Sequence, residues 1–491
     1  MSDFHLASVR RNVYVDSVAL LQVSADLLSV AGVLDAAVVM ASDLNRQLLS
    51  DSGLLVGDAQ TAGSNDLVIA VRAADAGVAA SAVQQAEALL AGRRRAGSTR
   101  EPASNPPRSL RSAHRADPEA TLALVSVPGT YAAGEARQAL ADGLHVFLFS
   151  DNVSVADEID LKRCARAQHL LVMGPDCGTT ILNGIGLGFA NVVRRGPIGL
   201  VGASGTGLQE LTSLLHQAGE GISHAIGTGG RDMHASIGGM TTLQAIDLLR
   251  DDALTQTIVL VAKPSAPEVA ERVMRAAAQT GKPVVACLLG ADLPAPTGVQ
   301  MARNLYQAAR LAASSTASWS GVEPANLPRL RLRERQHHIR GLFCGGTLCE
   351  EAEAAVAHAR GLDGHRFIDF GDDEYTRGRA HPMIDPTLRN RAIIEAGADA
   401  RVAVLLLDVI LGRGSHPDPA GATVPAIREA QARAAADGRE LAVLAHVVGT
   451  DLDPQGLIRQ EAALRSAGVH LLASNYHAAV AASLLLEGVA A

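Results

Sequence analysis

The chain has 491 residues, a net charge of −8, only 3% aromatic residues and five cysteines. Few aromatics and an acidic balance argue against nucleic-acid binding, which needs basic grooves and stacking platforms. No apolar run approaches the roughly 18 residues of a membrane span and the start, "MSDFHLASVRRNVYVDS", lacks a signal-peptide core, so no membrane partner is expected.

The cysteines (Cys164, Cys177, Cys287, Cys344, Cys349) form no C-x-x-C pair, so a reduced, cytoplasmic protein of roughly three domains is expected. Residues 1–92 alternate short apolar runs ("DAAVVMA", "DLVIAVRA") with helical periodicity ("DSVALLQVSADLLSVAG", "AGVAASAVQQAEALLAG"), which predicts a small α+β domain. Residues 93–118 lack periodicity and are rich in Arg, Pro and Ser, so they read as a linker with solvated charges.

From Leu122 the pattern is α/β. Strand-like "TLALVSVP", "LHVFLFS", "LLVMGPD", "PIGLVGA", "ISHAIGTGG", "TIVLVAK" and "PVVACLLG" alternate with helical stretches, which predicts parallel sheets with ligands beyond the carboxyl ends of the strands. A second linker, 312–338, precedes a last α/β block at 339–491.

The strand ends carry the chemistry. "GASGTG" leads from a strand into a helix, where glycines and free N–H groups suit a phosphate. Its G-x-x-G-x-G order departs from the G-x-G-x-x-G of dinucleotide sites, and a plain tight turn stays open beside the phosphate reading. Gly174-Pro175-Asp176-Cys177-Gly178 and Gly227-Thr228-Gly229-Gly230-Arg231-Asp232 follow two further strands. Cys177 is a candidate nucleophile or a buried turn residue, with no activating base beside it in sequence. In the last block, Asp369, Asp372, Asp373, Glu374, Arg377, Arg379, His381 and Asp385 crowd one loop. Asp408, Arg413, His416 and Asp418 crowd a second, and Asp451 and Asp453 a third. Arginine forks clamp carboxylate or phosphate and histidine moves a proton near neutral pH, so these loops suit an anionic polar substrate. Each residue alone would serve as a cap or salt bridge. The carboxylates have no decisive metal spacing, so no metal site is assigned and Mg²⁺ stays open.

In order, "LALVSVPGTYAAGEARQALADG", "LLVMGPDCGT", "GPIGLVGASGTGLQEL" and "AIGTGGRDM" resemble the succinyl-CoA synthetase α-subunit family, with its G-P-N-C-P-G, S-x-S-G-T and G-I-G-G-D-P segments. With the N-terminal domain, "FGDDEYTRGRAHPMIDP" and "LGRGSHPDPAG", nearly the whole chain resembles the FdrA family. The resemblance implies a Rossmann-like CoA-binding-type domain at 119–195, a flavodoxin-like ligase-type domain at 196–311 and a CoA-ligase-like domain at 339–491. Two departures bear on activity. The synthetases' Gly-rich nucleotide loop ahead of "LALVSV" is replaced by the α+β domain and linker, which weighs against CoA. Their phosphorylated histidine, in a G-H-A-G segment, has no counterpart in "CLLGADLPAPTGVQMARNLYQAA", and no ATP-grasp pattern is evident.

The resemblance therefore implies a carbamoyltransferase subunit that moves a carbamoyl group between carbamoyl phosphate, or another acyl phosphate, and a small carboxylate acceptor such as oxamate, alongside partner protein subunits. Ser204, Gly205, Thr206, Gly229 and Gly230 would cradle phosphate, with Asp176, Cys177 and His416 lining the substrate. Arg377 or Arg379 would bind a carboxylate and His381 would transfer the proton. The rivals are an acyl-CoA synthetase and a non-catalytic scaffold within a larger assembly.

Overall fold

The computed structural model describes residues 3–13, 15, 17–28, 30–96, 107–314, 331–333, 335–376 and 379–487. They fall into two compact units, Met1–Ala116 with Asp373–Asp385, and Asp117–Asp372 with Pro386–Ala491.

The smaller unit contains β1 (Phe4–Arg10), α1 (Ser17–Leu28), β2 (Val33–Met40), α2 (Asp43–Asp51), β3 (Leu67–Ala73), α3 (Ala76–Ala96) and α4 (Leu110–Ala116). Its antiparallel sheet runs β1-β3-β2. Side chains alternate across a strand, so β3 serves two cores. Ile69 and Val71 pack with Leu20, Val23 and Leu27 of α1, and Val68 and Ala70 with Leu49, Leu54 and Ala59. The region expected as a linker is partly helical, because α3 continues through Arg93 to Ala96 and α4 follows at 110. Residues 97–106 of that linker lie outside the described residues, as do 315–330 and 334 of the second.

The larger unit opens with β4 (Leu122–Val125), α5 (Gly129–Ala141), β5 (His145–Leu148), α6 (Val155–Ala167) and β6 (Val172–Met173), a three-stranded parallel sheet. Residues 179–188, which the resemblance places in the 119–195 domain, form the hairpin β7 (Thr179–Leu182) and β8 (Ile185–Gly188), which extends the next sheet by pairing antiparallel with β10. That sheet adds β9 (Arg195–Ala203), α7 (Gly205–Gln217), β10 (Ile222–Gly227), α8 (Met240–Asp251), β11 (Thr257–Ala262), α9 (Pro267–Ala278), β12 (Val284–Leu288), β13 (Val299–Met301) and α10 (Leu305–Ala312). Its order is β13-β12-β11-β9-β10-β7-β8.

The last sheet contains β14 (His338–Phe343), α11 (Gly346–Arg360) and β15 (Arg366–Asp369), followed in the chain by α12 (Asp373–Thr376), which belongs to the smaller unit. It continues with α13 (Thr387–Ala398), β16 (Val402–Ile410), α14 (Pro419–Ala436), β17 (Ala442–Val448), α15 (Leu457–Ser466), β18 (Val469–Leu471) and α16 (Asn475–Glu487). Its order is β15-β14-β16-β17-β18, all parallel. Strands covered on both faces read as continuous apolar runs, and every residue of β12, β16 and β17 is buried.

Both larger sheets are doubly wound. The chain steps from β9 to β10 on one side and returns to β11 on the other, and it does the same from β14 to β15 and back to β16. Each sheet therefore has a topological switch point, where the following loops part and leave a crevice at the strands' carboxyl ends. The helix α7 packs against both α10 and α11. It is buried from Thr206 to His216, so its polar side chains serve contacts between layers rather than solvent.

Candidate functional site

Two helix starts meet at the two switch points. Ser204 follows β9 and caps α7, its Oγ accepting from the Gly207 N–H at 3.0 Å. Thr347 lies in the first turn of α11, and its Oγ1 is 2.6 Å from Ser204 Oγ. Gly345 approaches Thr206 so closely that a Cβ there would stand 2.8 Å from Thr206 Cγ2. Ser204, Thr206 and Thr347 are buried, whereas Gly205 and Gly346, the first residues of the two helices, are half-exposed. The first amides of a helix lack intrahelical acceptors and carry partial positive charge, and no side chain caps α11. Two such ends in contact form a cradle for an anion.

The α11 start is held from behind by Asp408 on β16. Its carboxylate accepts from the Cys344 N–H at 2.8 Å and the Gly345 N–H at 2.8 Å, and pairs with Arg389 at 2.9 Å. Asp408 is completely buried, so it sets the turn and offers nothing to a ligand.

Charged side chains rim the cradle. Lys263 follows β11, across the switch point from Ser204, and pairs with Glu350 of α11 at 3.2 Å. Burial works against its charge, but Glu350, Asp369 and Asp176 outweigh that and raise its pKa. Asp369 ends β15, with Oδ1 accepting from the Gly371 N–H at 2.8 Å. Burial pushes its carboxyl up to about 6 against the pull of that amide and Lys263. A Cβ on Gly346 would collide with Asp369 Oδ2 and stand 2.6 Å from Lys263 Nζ. Lys263, Gly345, Gly346, Thr347 and Glu350 were missed from sequence. The signal was an internal repeat, since "CGGTLCEE" follows β14 as "ASGTGLQE" follows β9, with Gly-Thr opening each helix.

Of the predicted residues, Ser204, Gly205, Thr206, Asp176, Gly229 and Gly230 come together. A Cβ on Gly205 would stand 3.4 Å from Thr179 Oγ1, and one on Gly230 would stand 3.4 Å from Asp176 Oδ2. Gly229 has φ +86° and presses on the Pro175 carbonyl, a position only glycine fills easily. Behind this loop, the buried Lys162 of α6 joins Asp232 at 2.7 Å, Glu158 at 2.8 Å and the Thr228 carbonyl at 3.1 Å, fastening the first sheet to the second. Cys177 is buried, 3.5 Å from Thr180 Oγ1, and burial pushes its thiol up to about 12, so it stays protonated and packs behind the loop. His416 Nδ1 accepts from the Asp418 N–H at 3.0 Å, while Asp418 caps α14. Asp453 takes the Asn191 side chain and the Val192 and Thr450 amides.

Arg379 and His381 belong to the smaller unit, whereas the cradle lies wholly in the larger. Arg377 lies outside the described residues. The His381 imidazole accepts from the Met383 N–H at 3.3 Å, and burial pushes it down to about 4. A histidine with that pKa is neutral near pH 7. Among the described residues, no three His, Cys, Asp or Glu side chains are grouped to hold a metal, and no helix is long and apolar enough to cross a membrane.

Beneath the cradle, Glu210 of α7 and Glu351 of α11 occupy equivalent turns of the repeat. His446 reaches Glu210 at 2.9 Å and the Leu472 carbonyl at 3.0 Å. Asn475 donates to Glu351 at 2.8 Å, and Glu351 also accepts from the Leu305 N–H at 2.7 Å. Burial pushes Glu351 up to about 7; burial opposes the charge on His446, but Glu210 outweighs it and raises its pKa. Both groups hold protons more tightly folded than unfolded, so their contribution is complete at low pH and fades as pH rises through the folded pKa values. The melting temperature of the larger unit should therefore fall between pH 5 and 8, and Glu351→Gln should flatten that fall. An unchanged slope in Glu351→Gln, followed by circular dichroism, would exclude Glu351 as a source.

Three family models match the chain: a heavy metal-associated domain of the AllF type at residues 1–106, a CoA binding domain at 193–290 and a CoA-ligase at 342–485. The first region contains no cysteine, so it offers no thiolates to a soft metal. The protein YahF of Escherichia coli (strain K12) is 43% identical over 500 residues, covering 95% of this chain and 96% of that protein. The succinate–CoA ligase [ADP-forming] α subunit of Aquifex aeolicus (strain VF5) is 29% identical over 188 residues. That match covers 37% of this chain and 60% of that subunit. Among solved structures, the dinucleotide-forming acetyl-coenzyme A synthetase 1 of Ca. Korarchaeum cryptofilum aligns at 15% identity with a TM-score of 0.32. It covers 75% of this chain and 83% of that one.

Proposed function

The chain belongs to the family of Escherichia coli YahF, and we propose that it handles an acyl phosphate on an acyl-CoA-ligase-type scaffold, with the phosphate at the paired starts of α7 and α11. The observation that carries this reading is the 2.6 Å Ser204–Thr347 contact, which brings two anion-seeking helix ends together with Gly205 and Gly346 half-open. Lys263 adds a cation at the rim. Fixed N–H dipoles aimed at a departing phosphate stabilise the charge that builds on it without reorganising.

The chain's CoA-binding and CoA-ligase matches and its succinate–CoA ligase relatives support an acyl-CoA ligase more directly than a carbamoyltransferase. One observation favours the transferase. The segment from Leu289 to Ala312, which carries the strand β13 and helix α10, contains no histidine, so it offers no side chain to relay a phosphoryl group. An acyl phosphate that arrives already activated needs no relay, and carbamoyl phosphate with oxamate is the transferase form of the proposal.

The test is phosphate release from labelled carbamoyl phosphate, with and without oxamate, using the chain purified together with its native partners. Acceptor-dependent release with a labelled N-carbamoyl product is expected. Release only with a carboxylic acid, ATP and CoA, together with thermal protection by CoA, would assign the ligase instead.

A further inference from the structure

Asp369, Lys263 and Glu350 form a charged cluster beside the cradle, and phosphate binding requires neither of its carboxylates. Asp369 is pinned through Oδ1 by the Gly371 amide, leaving Oδ2 pointing at the Cα face of Gly346. Lys263 Nζ comes to the same point, and Glu350 holds it through one oxygen while its other, Oε2, is buried without a partner among the described residues. These side chains come from three elements, the end of β15, the loop after β11 and the first turns of α11. Such convergence at the mouth of two helix ends suits a group that meets the acyl carbon rather than the phosphate.

Resting on the acyl-phosphate reading above, we propose that Asp369 is the general base of an acceptor subsite for a neutral nitrogen nucleophile, an amine or amide, with Lys263 as its positioning residue. The acceptor nitrogen attacks the acyl carbon, forming a C–N bond as the bond from that carbon to the bridging phosphate oxygen breaks. The electron pair leaves with inorganic phosphate at the cradle, and the N–H proton passes to Asp369 Oδ2. No other reactant is consumed. A thiol can ionise before it attacks, whereas a nitrogen sheds its proton during attack and needs a carboxylate within reach. The groups facing Asp369 are Lys263, Glu350, Asp372, the buried Asp408 and the Cys344 and Cys349 thiols. Lys263, its pKa raised by the neighbouring carboxylates, stays cationic. A base acts when deprotonated, and burial sets Asp369 at about 6, so turnover is full above that pH and falls as pH drops through it.

The experiment compares wild type, Asp369→Asn and Asp369→Glu in the full chain with its partners. It follows acceptor-dependent phosphate release from carbamoyl phosphate with oxamate between pH 5 and 9. Donor binding is read separately as thermal protection by carbamoyl phosphate. Asp369→Asn should lower kcat by about 10²–10⁴-fold and abolish the acid limb, with donor protection intact. Asp369→Glu should recover part of kcat and keep an acid limb. Asp369→Asn with kcat within threefold of wild type, or with its acid limb retained, overturns the role of Asp369 alone. Absence of any acceptor-dependent release by wild type overturns the transferase form of the function and this inference with it.

Discussion

Asp408→Asn destabilises the larger unit by about 3–5 kcal/mol, the cost of breaking a buried ion pair from one side. The carboxylate meets Arg389 and the Cys344 and Gly345 amides, and both partners of the ion pair are at most 2% exposed. Asparagine keeps the shape and one acceptor oxygen, but its NH₂ faces donors and the Arg389 charge stays buried without its counterion. Because the same amides set the entry of α11, the variant should also lose phosphate protection. The check is denaturant unfolding of wild type, Asp408→Asn and the double variant Asp408→Asn/Arg389→Met. The double variant should recover part of the loss, since it removes the stranded charge. A single-variant change below about 1 kcal/mol would show that the pair does not hold this turn.

Gly346→Ala should remove phosphate protection and lower turnover by about 10²–10³-fold, the scale for losing a preorganised donor at a reacting oxyanion. The new methyl meets Asp369 Oδ2 and Lys263 Nζ. Lys263 can swing away, but Asp369 is short and held by the Gly371 amide, so the site yields by displacing both groups. Stability should fall only modestly, by about 0.5–3 kcal/mol, since alanine suits a helix but Asp369 must shift. Melting temperature with and without 10-fold steps of inorganic phosphate, beside turnover, separates the two effects. Wild-type protection and turnover in Gly346→Ala would mean that the anion does not sit at the start of α11.

The α/β layering was legible because parallel strands covered on both faces leave long apolar runs, as in "TIVLVAK" and "VAVLLLDVI". The Ser204–Thr206 turn was legible too, since a glycine-rich strand-to-helix turn states its own geometry. The matching turn at Gly345 was less legible, because "CGGTLCEE" has Leu348 where "ASGTGLQE" has Gly207, which hides the repeat. Charge density does not reveal what a carboxylate faces. Asp408 and Asp453 hold backbone amides, Asp418 caps a helix, and Asp451 meets His216 at 2.6 Å. The loop with Arg379 and His381 illustrates a second limit, since its neighbours come from residues 1–116, far away in the chain. No local periodicity encodes that pairing. Lys263 was hidden for the opposite reason, as a lone lysine after a strand has no pattern, and only strand order places it across from Ser204.

Both halves of the cradle, one on each doubly wound sheet, lie on a single polypeptide within one compact unit. Covalent connection makes their encounter intramolecular, so its effective concentration is fixed by the chain and not by the amount of protein. Dilution leaves the two halves in equal number and in register.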